Sequence, residues 1–405
     1  MHKISPQSSF FKTALLSISL MLMSSSQISP SLPLMYADFP QISRTGVELL
    51  SSIAGSGIVV GLCFNPLLVQ LVKPKATIIL GLLLVLIAGS YPIYATNYGG
   101  ILTARFLLGV GVGLYNSLAV SLLAQFYQGP ELSTMLGWQN ATGSLGIALF
   151  SGAVSWLLNW GWHAVFAIYL LALPILLLFS GVVSLPAAPS QPTTLAAPSH
   201  PTTLAAPSHP WKQLNWTVLR IAGLMFFMHA FFMTQTFKLP QLAWTQHLAS
   251  VQQVALISGL VGLMGWPVGL IYGKLKQKLQ ALLLPISLLL QVGGLLIMAY
   301  APQIVVLVIG AIILGTGFGL AVPYAFDWVA AVVPEAAVNL ATTVVLILIN
   351  LGCTISPLLV NWLATTGSDG SPQAAFSFAA GGMGLLTLYG LGHYWYMTKI
   401  YRQKV

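Results

Sequence analysis

Residues 102–116 read L-T-A-R-F-L-L-G-V-G-V-G-L-Y-N: an apolar helix carrying one arginine, Arg105, and then glycines at 109, 111 and 113. An arginine at mid-bilayer costs about 2.5–3.5 kcal/mol on insertion scales, so a membrane helix seldom carries one without a purpose. The glycines remove side-chain bulk from part of the helix and let a neighbouring backbone approach closely. The ladder returns at Gly315, Gly317 and Gly319, a shift of 206 (315 − 109), with Ala311 in place of the arginine. Gly146 and Gly352 repeat at the same shift (352 − 146 = 206), as do Trp156 and Trp362 (362 − 156 = 206). The turn Pro130-Glu131 has a counterpart, Pro334-Glu335, at 204 (334 − 130). Composition bias alone produces glycine matches, but a matched tryptophan and a matched Pro-Glu turn point to a duplicated chain.

The composition places that duplication in a membrane. Of 405 residues, 57% are hydrophobic and 5% charged, whereas a soluble domain carries about a quarter charged residues. Apolar runs of about 20 residues, each long enough to cross the hydrocarbon core, follow one another almost without pause. They predict an all-α membrane protein of twelve transmembrane helices in two six-helix halves. The first half has helices near 11–34, 46–68, 76–95, 100–125, 133–158 and 162–183. The second has them near 216–237, 251–272, 279–300, 304–329, 337–364 and 374–397. The halves are read as residues 1–184 and 213–405, the second ending in a short basic tail. Between them, residues 185–212 repeat L-A-A-P-S-H-P-T-T, a proline-rich composition that buries too little apolar surface to fold and reads as a flexible linker. His200 and His209 are incidental to that repeat.

The formal charge of +9 does not point to nucleic acid, because the basic residues sit between apolar runs, where they set topology. With both termini cytoplasmic, Lys3, Lys12, Lys73, Lys75, Lys212, Arg220, the lysines at 274, 276 and 278 and the tail residues Lys399, Arg402 and Lys404 fall inside. Only Arg44 and Lys238 fall outside. The expected location is therefore the cell membrane. An alternative treats the first thirty residues as a signal peptide, but removing them leaves an odd helix count. Cys63 and Cys353 lie in separate apolar segments and resemble neither a disulfide framework nor a metal site; no metal or cofactor is expected.

The chain resembles the major facilitator superfamily over essentially its whole length. Arg105 to Gly111 matches that family's R-x-x-x-G-x-G signature, and Gly161-Trp162-His163 with Phe166 is similar to its Gly-Trp-Arg entry to the sixth helix. The loop from Asn65 to Lys75 departs from the family pattern: Val69 stands where an acidic residue is usual and Val72 where a glycine is. The fifth helix has Gly143 and Gly146 without the Gly-Pro pair of proton-driven drug antiporters. The resemblance implies a monomeric secondary transporter working by alternating access, similar to bacterial drug or metabolite exporters. Its partners would be the bilayer, a small-molecule substrate and protons. A metabolite or organic-anion uptake symporter and a non-transporting membrane sensor are the alternatives. No P-loop, H-E-x-x-H or G-x-S-x-G motif occurs, so neither nucleotide-driven transport nor an intramembrane enzyme is favoured.

Arg105 and His229 are the coupling candidates. Arg105 is expected either to snorkel to the outer interface or to present a fixed charge to the cavity. His229 titrates most easily near neutral pH, and the phenylalanines and methionines around it could line an adaptable apolar cavity. Glu48 reads as the acceptor of a capping box begun by Thr45. Gln27, Asn116, Gln139, Asn140, Gln235, Gln291, Tyr324 and Asn350 are polar residues inside helices. By resemblance the first, fourth, seventh and tenth helices line the path, which selects Gln27, Asn116, Gln235 and Tyr324 as substrate contacts beside His229. Asp327 with Lys274 and Lys276 is the candidate cytoplasmic gate. Trp160, Trp162 and Trp211 read as interfacial anchors. One accessible cation with no opposing carboxylate predicts neutral or anionic substrates.

Overall fold

The computed structural model describes residues 7–183, 215–334 and 337–402. The linker, with His200, His209, Trp211 and Lys212, lies outside them, as do Lys3, Glu335 and Lys404. Every regular element among the described residues is helical. The first half comprises α1 (Ser9–Leu22), α2 (Leu32–Asp38), α3 (Arg44–Ser52), α4 (Ala54–Ser90), α5 (Tyr98–Phe126), α6 (Gly129–Leu157), α7 (Trp162–Val165) and α8 (Ala172–Val182). The second comprises α9 (Trp216–Phe232), α10 (Thr234–Thr245), α11 (Val251–Leu263), α12 (Gly265–Leu279), α13 (Leu283–Ala299), α14 (Ile304–Val332), α15 (Val338–Gly367) and α16 (Pro372–Arg402).

Nine apolar helical runs among the described residues are long enough to cross a bilayer. Two of them, Arg44–Ile93 and Val251–Ala299, extend over 50 and 49 residues, about twice what one crossing needs. Each contains a residue with positive φ, Lys73 (φ 70°) and Gln280 (φ 49°), where the chain turns back. Nine continuous runs are thus compatible with more than nine crossings. Lys73 begins the basic turn expected from the sequence, and Gln280 closely follows the lysines at 274–278.

The first crossing is not the single helix expected over 11–34. It breaks over residues 23–28, and Pro30 and Pro33 each sit at the first or second position of a new helical turn, where a missing N–H costs nothing. Serine hydroxyls explain the break. Ser24 donates to the Met21 carbonyl, Ser29 to Ser26 and Ser31 to Ile28, local bonds that compete with the helical ladder.

Both glycine ladders make close backbone approaches. A methyl group on Gly111 would lie 2.7 Å from the Gly81 carbonyl oxygen, and one on Gly317 would lie 2.6 Å from that of Ser287. Gly109 and Gly113 face the backbone of α4 at Ala54 and Ile58, while Gly315 faces Val261 and Gly319 faces Gly265. Both halves therefore pack their fourth helix between two neighbours by the same device.

Contacts between the halves gather toward the end opposite the basic turns. There Ser52 and Thr354 donate to each other's backbone carbonyls, each at 3.3 Å. Gly259 meets Ser151, and Gln252 donates to Asn159. At the basic end, Lys12–Glu131, Lys75–Ser180, Asn215–Val332 and Lys276–Asp327 each stay within one half.

Candidate functional site

Arg105 neither snorkels nor faces open space. It is fully buried, and three of its nitrogens are spent inside the first half. Nε donates to the Leu50 carbonyl (2.9 Å), Nη1 to the Tyr169 hydroxyl (2.6 Å) and Nη2 to the Ser25 carbonyl. Tyr169 in turn donates to the Ser24 carbonyl at 3.0 Å. A break in a helix frees carbonyls that hydrocarbon cannot satisfy, and Arg105 with Tyr169 supplies the missing donors. The arginine is thus a brace that holds the serine break of the first crossing against α3, α5 and the 3₁₀ segment Phe166–Leu171.

Glu48 and Lys238 also differ from expectation. The N-cap of α3 is Ser43, whose hydroxyl accepts from the Gly46 N–H, so Glu48 is not part of a cap. Lys238 is not in an outer loop, because α10 runs on to Thr245. The two side chains are 0% and 2% exposed, and Lys238 Nζ lies 2.8 Å from Glu48 Oε1. Tyr36 donates to the same oxygen at 3.2 Å, Asn361 donates to Oε2 at 2.5 Å, and Lys238 also donates to Gln241. Asn361 further reaches Thr45. The pair thus joins α2 and α3 of the first half to α10 and α15 of the second. Buried carboxylate and ammonium groups need such close pairing and extra hydrogen bonds to offset desolvation. A true capping box does exist, between Ser250 and Gln253 at the start of α11.

Directly beside this pair lies a cavity of about 110 Å³ between the halves. Its walls include Ser25 and Ser26 from the break, Ser51 and Ser52 from α3, and Thr236 and Asn350 from the second half, with Ile58, Met233 and Phe237 as an apolar side. Ser51 is three residues beyond Glu48, and Phe237 immediately precedes Lys238, so the ion pair flanks the cavity on the side away from the basic turns. A second cavity of about 200 Å³, lined by Asp38, Phe39, Thr96, Trp162 and His163, is built by the first half alone. Trp162 is buried there and donates to Asp38 Oδ2 at 2.5 Å. It is not an exposed anchor, whereas Trp160 is 59% exposed.

The other candidates from the sequence stand apart from the central cavity. His229 is buried, its Nδ1–H donates to the Met225 carbonyl at 2.9 Å, and its ring meets Phe318 edge-on. Met225, Met228 and Phe232 around it are packed into the core, with Phe232 stacked on Phe318. Gln27 accepts from Ser151. Asn116 is half-buried in α5. Buried Gln235 donates to Thr236, which lines the cavity, while its own side-chain oxygen has no partner among the described residues. Tyr324 is buried and meets Trp328. Asp327 accepts from Tyr272 (2.5 Å) and pairs with Lys276 (2.7 Å), while Lys274 is exposed. That cluster lies within the second half. The residues that sequence reasoning passed over are Lys238 and the serines at 24–26 and 51–52. The one available signal was a lysine flanked by apolar and uncharged residues well past the start of a helix.

Comparison with known proteins gives the same architecture. No curated protein matches the chain. Among solved structures, the nucleoside transporter NupG superposes with a TM-score of 0.74 at 13% identity, over 95% of this chain and 98% of that one. A D-xylose-proton symporter gives 0.69 at 18% identity, over 95% and 97%. The xylose transporter XylE from E. coli, in a partially occluded inward open conformation, gives 0.70 at 13% identity, over 94% and 98%. At such identities the likeness speaks for the fold alone. The Major Facilitator Superfamily model matches residues 14–326, more than half of the chain, and with that match the protein belongs to the major facilitator superfamily of multi-pass membrane transporters.

Proposed function

We propose that the chain is a proton-coupled secondary transporter in which the Glu48–Lys238 pair is both the outer gate and the coupling site. One observation carries this reading: the pair is buried, joins the two halves, and sits next to the cavity on the side away from the basic turns. The basic turns mark the cytoplasmic side by the positive-inside rule, so the pair's side faces outward. The resemblance to exporters supports export as the direction, with protons moving inward in exchange.

The cycle follows from electrostatics. When the halves separate at the outer end, Glu48 leaves Lys238 and takes up a proton from outside. A lone buried carboxylate favours its neutral form, and an approaching ammonium favours the charged one. On closure Lys238 approaches, and the proton leaves through the cavity toward the cytoplasm. Solute bound beneath the pair offsets the cost of separating it on the return. Arg105 keeps the serine break in place through both states and does not carry the proton, and His229, bonded to its own helix away from the cavity, takes no part in coupling.

Reconstituted transport with imposed pH gradients of both signs tests the reading. Glu48→Gln should keep counterflow of solute across the membrane while losing proton-driven accumulation. A disulfide between Thr45→Cys and Asn361→Cys, in a background lacking Cys63 and Cys353, should stop transport until it is reduced. Unaltered proton-driven accumulation in Glu48→Gln, or full transport by the cross-linked protein, would sink the proposal.

A further inference from the structure

We infer that the central cavity selects small neutral solutes bearing several hydroxyl groups, such as polyols and sugar-like rings, over organic ions and plain hydrocarbons. This rests on the transporter reading and adds the substrate class. The sequence suggested a free cation in the cavity, and hence neutral or anionic substrates. The geometry keeps both cations out of the cavity lining: Arg105 turns Nε, Nη1 and Nη2 to Leu50, Tyr169 and Ser25, and Lys238 is paired with Glu48. The residues lining the cavity include no charged side chain. A carboxylate or ammonium entering it would lose water without meeting a counter-charge in the lining.

The polar groups that remain suit hydroxyls. Ser25 and Ser26 face the cavity, and their hydroxyls have no hydrogen bond among the described residues. Asn350 donates from its amide nitrogen to Leu346 at 2.9 Å, which leaves its side-chain oxygen to accept. Thr236 adds a hydroxyl already oriented by Gln235. Two hydroxyls that can donate or accept, with one amide oxygen that accepts, match a solute whose groups both donate and accept. Ile58, Met233 and Phe237 add apolar surface to the lining and suit the C–H face of such a solute. A hydrocarbon of the same shape would fill the space but strand the serines and Asn350, and sites built for hydrogen bonding reject such analogues strongly.

Cys353 lines the same cavity and serves as the reporter. In Cys63→Ser protein in proteoliposomes, the rate of Cys353 alkylation by N-ethylmaleimide is followed by mass spectrometry with D-ribose, sorbitol, uridine, benzoate or choline present. Counterflow of each labelled compound is measured in parallel. At least one of the three hydroxylated solutes should slow alkylation about fivefold or more and exchange across the membrane, whereas benzoate and choline should do neither. Ser25→Ala and Asn350→Leu, each checked for a monodisperse fold, should each raise the protecting concentration about tenfold. Protection by benzoate or choline in place of the hydroxylated solutes, protection by none of the five, or protection that survives both substitutions overturns the inference. Exchange of an ion alone leaves the transporter reading standing without the substrate class. Protection by a hydroxylated solute with no exchange of any solute does the reverse.

Discussion

Arg105 and Lys238 are both buried cations, yet the molecule satisfies them in opposite ways. Arg105 is held by backbone carbonyls and one phenol of its own half. Lys238 is held by a carboxylate of the other half, a group that can take a proton. In the proposed cycle the first cation is a fastener and the second a switch. The fourth helices teach the same lesson: both have the glycine ladder, but only the first has the arginine, and only the first half has a serine break beside it to hold.

Substitutions that exchange or remove these roles test the contrast, and the largest effect belongs to Lys238→Met. It leaves Glu48 buried without its counter-ion and should cost about 3–5 kcal/mol of stability. Glu48→Gln combined with Lys238→Met should recover most of that loss in a detergent melting assay, a coupling that a double-mutant cycle measures. Additive losses would mean that the pair is no unit.

Arg105→Ala comes next. It strands the Leu50 and Ser25 carbonyls, at about 1–3 kcal/mol for each group left unpaired, while the Tyr169 hydroxyl keeps its bond to the Ser24 carbonyl. Arg105→Lys should recover only part, because an ammonium lacks the planar fork that reaches three partners. Normal melting and transport in both variants would remove the brace from the account. Gly109→Ala and Gly315→Ala should each lose about 1–3 kcal/mol by overpacking, and by similar amounts. A loss confined to one half would show that the ladders are not equivalent.

The smallest effect concerns the Lys12–Glu131 contact at the basic end. Hydrogen bonds from Lys12 and Gln7 hold the Glu131 carboxyl below the usual glutamate range. Its contribution is therefore present above the ordinary glutamate pKa and is lost as pH falls through the lowered folded value. Melting temperature scanned downward from pH 6 should fall slightly more for the native protein than for Glu131→Gln, and identical slopes would show that the contact is inert.

Much of this was legible in the residues. Apolar runs, basic turns and the repeated glycines each report a local or periodic constraint, and the R-x-x-x-G-x-G match carried the family. The ion pair was not legible, because Glu48 and Lys238 are 190 positions apart and each had an adequate local explanation, a cap for one and a loop for the other. The brace was half legible: an intramembrane arginine announces that it has partners, but carbonyls freed by a break 80 residues away leave no charge pattern to find. The same break let the first thirty residues pass for a signal peptide, since a short apolar run ending in serines is common to both.

That break has a consequence for how the protein is made. The helix preceding it, Ser9–Leu22, has only 14 residues, fewer than the roughly 20 that hold a segment across a bilayer on their own. When this segment emerges from the ribosome it lacks the donors that its freed carbonyls need, because Arg105 and Tyr169 lie later in the chain. Its residence in the membrane is therefore provisional until α5 and the Phe166–Leu171 segment arrive. A defect at Arg105 should accordingly appear during biogenesis, as a lower yield of inserted protein.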